Sequence, residues 1–338
     1  MSLWSWLCNL ASKIPTSAIG AITGPAKELS GAAKDITSVR RDLVETQIAK
    51  KKLEEYESQV QRANFDDVKE YDPKTRHIIA AGRYEIRDIL GRGGFGTVYF
   101  ATDLRTGRQV VIKRLAKGGE PLALLNESTV LRRLSHANIV ALLDVIEEEG
   151  ATELVMEYVE GRTLDQIIRE HSPSELMPFL LRVLPQIASA LDYAHGLRIM
   201  HLEVKPANII VENDGTTKLI DFGIARMITG DRGTFAGTPL YMAPEQWTMA
   251  GQDGRTDQYA LGLVAYQLLT GRLPFDGHTM AEIGRKVLYE PPPSPLLFSP
   301  ELGARVEDIM RRVLSKNPAH RFSTCSEFAQ ALIAGLPQ

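Results

Sequence analysis

The sequence predicts an α+β fold in which a small strand-rich unit is followed by a larger helical one, with a helical extension in front. Three observations carry this. From Tyr84 to about residue 160, short apolar runs alternate with turn residues, as half-buried strands require. Beyond Gly161, helix start signals dominate: Thr163 with Gln166, Ser172 with Glu175, Thr279 with Glu282 and Thr324 with Glu327 stand at capping-box spacing, and Pro173 sits where a first helical turn tolerates proline. From Ser38 to about Ala63 there is neither glycine nor proline.

Residues 1–37 read as an amphipathic segment and a flexible connector. Leu3, Leu7, Leu10 and Ile14 recur at helical spacing beside Trp4 and Trp6, and Pro15, Gly20, Gly24, Pro25 and Gly31 follow. The amphipathic part is short and weakly basic, which places docking on a partner protein, or disorder, ahead of peripheral membrane contact. Residues 38–66 read as one long charged helix with Val39, Leu43, Ala49, Leu53, Tyr56 and Val60 as an irregular apolar stripe. Self-association and a single solvated helix are both compatible with it. Residues 67–83, with Asp72-Pro73, read as a linker. The strand-rich unit spans 84–160, with strands at Tyr84–Leu90, Thr97–Thr102 and Gln109–Leu115, a helix over Pro121–Leu134 and two more strands ending at Met156. The helical unit spans 161–335.

Composition narrows the classes. With 338 residues, 44% of them hydrophobic and 24% charged, the chain has material for one large or two smaller cores. A net charge of −3 with histidine neutral provides no basic footprint for nucleic acid. Cys8 and Cys325, at opposite ends, form no disulfide or metal-ligand pattern, which fits a reducing, cytoplasmic compartment. No run of eighteen apolar residues marks a transmembrane helix, and no basic region precedes the first apolar residues as in a secretory signal.

Four motifs carry chemistry. Gly91-Arg92-Gly93-Gly94-Phe95-Gly96-Thr97-Val98 lies between two strands, where glycines let backbone amides approach phosphate oxygens that a Cβ would obstruct. Val110-Val111-Ile112-Lys113 follows. His201-Leu202-Glu203-Val204-Lys205-Pro206-Ala207-Asn208 comes next, then Asp221-Phe222-Gly223 after the strand-like Thr217–Ile220. Together they resemble the serine/threonine protein kinase family of eukaryotic type, in the style of its bacterial members, over about residues 84–335.

The resemblance implies a bilobal kinase fold with a β-rich N-lobe and a helical C-lobe, using ATP and Mg2+ to phosphorylate protein hydroxyls. Gly91, Gly93, Gly94 and Gly96 would cover the phosphates. Val98, Val111, Met156, Glu157 and Val159 would line the nucleotide site, with Met156 as gatekeeper and Glu157 to Val159 as hinge. Lys113, paired with Glu127, would hold the α- and β-phosphates. Asn208 and Asp221 would bind magnesium, Lys205 would contact the γ-phosphate, and Glu203 would accept the substrate proton. Gly237-Thr238-Pro239-Leu240-Tyr241-Met242-Ala243-Pro244-Glu245 resembles the family's peptide platform, which small-molecule phosphotransferases lack. The resemblance further pairs Glu245 with Arg321 and makes Asp257 the anchor of the catalytic-loop backbone.

Three positions depart from the family pattern. Val111 replaces an alanine over adenine, adding two methyl groups that weaken nucleotide binding. Glu203 replaces aspartate, and its added methylene shifts the carboxylate by about an ångström, a displacement that costs on the order of a hundredfold in rate. Leu202 replaces the arginine that reads a phosphate on the activation loop. The expectation is a kinase of low activity, the alternative a pseudokinase that binds nucleotide and acts as a scaffold. With no arginine at 202, phosphorylation of Thr234 has no receiver there. Thr234→Ala is therefore expected to keep the parent's rate of phosphate transfer, and complete loss of transfer would show that a phosphate at Thr234 is required.

Overall fold

The computed structural model describes residues 77–93, 96–115, 128–148, 151–222, 226–227 and 238–337. The readings for 1–37 and 38–66, and most of the Pro121–Leu134 helix, lie outside these. Six strands form one antiparallel sheet: β1 His77–Ile79, β2 Tyr84–Gly93, β3 Gly96–Asp103, β4 Gln109–Leu115, β5 Leu142–Glu148 and β6 Ala151–Glu157, in spatial order β1-β2-β3-β4-β6-β5. Strand β1 lies in the stretch expected as linker. Its register places Ile79 opposite Tyr84, and the chain turns back through Ala80, Ala81 and Gly82, all at positive φ.

The period of two sorts this sheet into two faces. Tyr84, Ile86, Tyr99, Ala101, Val110, Ile112, Ile146 and Val155 close a small core on one side. The alternate residues Val111, Leu154, Met156, Leu142 and Val145 join the main core that continues into the helical region. The sheet is thus apolar on both sides, and its second face borders the larger unit.

That unit contains β7 Gly161–Thr163, α1 Leu164–Glu170, α2 Pro173–Gly196, β8 Ile199–Met200, β9 Ile209–Glu212, β10 Thr217–Leu219 and β11 Arg226–Met227. Five further helices follow: α3 Pro244–Trp247, α4 Gly254–Thr270, α5 Met280–Tyr289, α6 Gly303–Val313 and α7 Cys325–Gly335. Of the four capping-box pairs, Thr163 and Gln166 exchange both bonds. Thr279 and Thr324 accept the N–H three residues on, but Glu282 and Glu327 reach one residue further back, to His278 and Ser323. Ser172 instead donates its hydroxyl to Glu175, whose carboxylate also accepts the Ser172 N–H.

Helix α4 is buried over almost its whole length from Thr256 to Thr270, as a helix apolar on all sides must be. Asp253 caps its start, and Gly271, at φ 72°, ends it in the left-handed conformation that glycine adopts without a Cβ penalty. Its first turn is also a junction. The fully buried Arg321 guanidinium binds both Glu245 carboxylate oxygens, at 2.7 and 2.8 Å, donates to the carbonyls of Arg255 and Ser315, and lies over the Tyr259 ring. Thr256 adds a hydroxyl bond to Glu245 at 2.9 Å.

Removing one partner of such a pair strands a buried charge. Arg321→Met is expected to lower the unfolding free energy by about 3–5 kcal/mol in urea titration. Adding Glu245→Leu should recover part of it, and a loss below about 1 kcal/mol would show that the pair is not a structural anchor.

Candidate active site

The segment from His201 to Asn208 leaves β8 and runs as a loop into β9, held by its backbone. Asp257, in the first turn of α4 and with no exposed side-chain surface, accepts the His201 N–H at 2.9 Å and the Leu202 N–H at 2.7 Å. His195 of α2 donates from Nε2 to the same carboxylate at 2.8 Å. Burial pushes the Asp257 carboxyl up, but the hydrogen bond from His195, the favourable electrostatic interaction with the two neighbouring imidazole rings and the His201 N–H outweigh it. The group lies below the ordinary carboxylate range and is ionised. Burial holds His201 below its usual value, hence neutral at pH 7. Its Nδ1 accepts the Glu203 N–H at 3.2 Å, which makes Nε2 the protonated nitrogen, 3.1 Å from the Ile220 carbonyl. Its ring meets Phe222 edge-on at 4.5 Å.

On this frame the polar side chains converge. Glu203 Oε1 accepts from Lys205 Nζ at 2.6 Å and from the Thr238 hydroxyl at 2.9 Å, and Lys205 Nζ lies 2.8 Å from the Thr238 oxygen. Glu203 Oε2 carries no hydrogen bond among the described residues. The lysine has three donors, two of them used in this triangle. Asn208 turns its Nδ2 to the Glu203 carbonyl at 3.0 Å, which leaves the amide oxygen as a ligand atom. The Asn208 carbonyl accepts the Ile220 N–H at 2.9 Å, which brings Asn208 beside the start of Asp221-Phe222. Asp221, at φ 64°, is held in the left-handed region, where a non-glycine residue is strained. Its Oδ1 is 2.7 Å from Lys113 Nζ.

The sheet supplies the opposite wall. Gly91, Val98, Lys113 and Leu154 stand in one cross-strand row, and Val111 pairs with Met156 two residues along. Val98, Val111, Lys113 and Met156 therefore share a face. Gly93 pairs with Gly96 at the hairpin end. A Cβ on Gly91 would meet no atom within 4 Å, so packing does not require glycine there. Met156 and Val159 are buried at the crossing between sheet and helices. Glu157 is a tether: its N–H donates to the Ala141 carbonyl, and its Oε1 accepts from Ala141 N at 2.9 Å and from Lys218 Nζ at 2.6 Å. Ala141 follows a segment joined to β10 by the Ile139–Leu219 bridge.

The structure thus brings Glu203, Lys205, Asn208, Asp221 and Lys113 together, with Val98, Val111 and Met156 along the sheet. Glu127, Gly94, Gly223 and Thr234 lie outside the described residues, and the described partner of Lys113 is Asp221. The expected Glu245–Arg321 and Asp257 contacts are present. Sequence reading missed Thr238, Gln246, His195 and Lys218 as members of the site. Thr238 was visible only as part of the platform motif, and no pattern linked Lys218 to Glu157. Among the described residues no helix is long and apolar enough to cross a membrane.

Residues 84–333 match the protein kinase domain family. The chain is 36% identical over 261 residues to the serine/threonine-protein kinase PrkC of Bacillus subtilis, covering 73% of this chain and 39% of that protein. It is 36% identical over 262 residues to PksC of Streptomyces coelicolor, covering 72% and 47%. To a probable serine/threonine-protein kinase, PknB, of Lactococcus lactis it is 35% identical over 259 residues, covering 74% and 41%. The chain spans less than half the length of these relatives.

A carboxylate with a depressed folded-state pKa stabilises the fold above its unfolded value, and that contribution is lost as pH falls through the folded value. For Asp257, urea midpoints are expected to be level above about pH 4 and to fall below it. Asp257→Asn should be less stable at pH 7 and show a shallower acid slope. An unchanged slope would remove Asp257 as a source of the acid sensitivity.

Proposed function

The chain belongs to the protein kinase family, and from that premise we propose that it is a serine/threonine protein kinase using magnesium-ATP, with Glu203 as its base. The observation that carries this is the triangle of Glu203, Lys205 and Thr238. Both donors fall on one carboxylate oxygen. The side chain is aimed while Oε2 stays open to a substrate hydroxyl.

The remaining residues fit the roles that the family assigns. Asp221 and the Asn208 amide oxygen are hard oxygen ligands, suited to magnesium. When bound, that ion neutralises charge on the phosphate oxygens. Lys113 holds the α- and β-phosphates, and the third donor of Lys205 is directed to the γ-phosphoryl group. As the substrate oxygen bonds to the γ-phosphorus and the bond to the departing ADP breaks, Oε2 takes the hydroxyl proton. Val111 adds methyl groups to the face that receives adenine, so nucleotide affinity is lower than alanine would give. The substrates are protein serine or threonine hydroxyls presented on the Thr238–Met242 platform.

Transfer of labelled γ-phosphate to the chain itself and to myelin basic protein tests this reading. The parent is expected to transfer, Asp221→Asn to lose transfer, and Glu203→Gln to drop by about a hundredfold or more with nucleotide affinity retained. Equal rates in parent and Glu203→Gln would remove Glu203 as base. Transfer appearing only in Glu203→Asp would instead favour a nucleotide-binding scaffold.

A further inference from the structure

We propose that Gln246 is a positioning residue for the base Glu203, coupling the peptide platform to the catalytic loop; this rests on the phosphotransfer reading and adds to it. Gln246 lies in α3, directly after the platform, and is 2% exposed. Its Oε1 accepts the Ala243 N–H at 2.9 Å, and its Nε2 donates to the Leu202 carbonyl at 3.3 Å. The orientation of the amide is fixed by chemistry, since a backbone N–H needs the oxygen and a carbonyl needs the NH2.

The carbonyl it holds belongs to the peptide that joins Leu202 to Glu203. Leu202 is in the left-handed region at φ 65°, a conformation that is strained for a non-glycine residue and persists only when surroundings impose it. Here they do so from both sides. The Leu202 N–H is taken by Asp257 at 2.7 Å, and the following peptide is held by Gln246 at its carbonyl and by His201 Nδ1 at the Glu203 N–H. Rotation of that peptide would swing the carboxylate, and the extra methylene of glutamate lengthens the lever. The Leu202 side chain has no hydrogen-bonding group, so the loop is gripped here through its backbone. Gln246 closes that grip from the element that receives the substrate.

Two substitutions separate positioning from helix capping. Gln246→Glu keeps an acceptor for the Ala243 N–H but, when ionised, cannot donate to the Leu202 carbonyl; Gln246→Met does neither. Both are expected to lower kcat for myelin basic protein by about tenfold at pH 7.5, with KM for ATP changed by less than about twofold. In Gln246→Glu the ratio to parent should rise as pH falls, because the protonated acid regains a donor, while the Gln246→Met ratio stays flat. Parent-like kcat in Gln246→Glu, or equal losses in both variants with no pH recovery, overturns the proposal. Amide hydrogen exchange over residues 199–208 gives a readout independent of turnover. Gln246→Met should exchange faster there than the parent, and unchanged exchange overturns the proposal even if the parent transfers no phosphate. A parent without transfer but with faster exchange in the variant would instead fault the phosphotransfer reading alone.

Discussion

A buried carboxylate that collects backbone N–H groups sets the geometry of everything around it. Asp257 has no exposed side-chain surface, and leaving such a buried charge unpaired would cost several kcal/mol. His195 and the N–H groups of His201 and Leu202 supply its hydrogen bonds. Because two of those donors are consecutive peptides of one loop, satisfying the charge also shapes the loop. One and two positions before Asp257, the same first turn of α4 touches the second buried network, through Thr256 to Glu245 and through Arg255 to Arg321. One helix turn therefore fixes the loop that holds Glu203 and the platform that faces it.

The tolerance of the site for its atypical residues follows from this. In the loop, what Asp257, Gln246 and His201 grip is peptide, and peptide is the same for leucine as for arginine. Leu202 is 5% exposed, and its apolar side chain in place of a charged one introduces no unpaired polar group. Val111 is accommodated beside Met156 on a face that already carries Val98, and the sheet register through it is regular.

Legibility in the sequence tracked the range of the interactions. Strands β2 to β6 of the large sheet were visible because alternation is local, whereas the three-residue β1 fell in the stretch expected as linker; the motif glycines and Lys113 were legible through family resemblance. The two-residue strands β8 and β11 have no period to detect. Capping pairs were seen correctly as helix starts, but whether the carboxylate reaches its own cap or the residue before depends on the entering backbone. Asp257 and Arg321 were legible through family resemblance, since no local pattern joins residues 76 positions apart such as Glu245 and Arg321. The tether of Glu157 to Lys218 spans 61 positions, and the charge of a strand lysine does not announce its partner.

In the role of base proposed for it, the lengthened Glu203 side chain also has an entropic side. A glutamate in free rotation carries about 1.5–2 kcal/mol of side-chain freedom, more than an aspartate does. If Glu203 kept that freedom, it would be surrendered each time a hydroxyl arrived, and the loss would appear in the barrier. Lys205 and Thr238 remove it beforehand, with two donors on a single oxygen, and the loss is charged to folding instead. The additional torsion that distinguishes Glu203 from its usual counterpart is thus already frozen in the resting protein, and in the proposed role a turnover would begin from an ordered carboxylate.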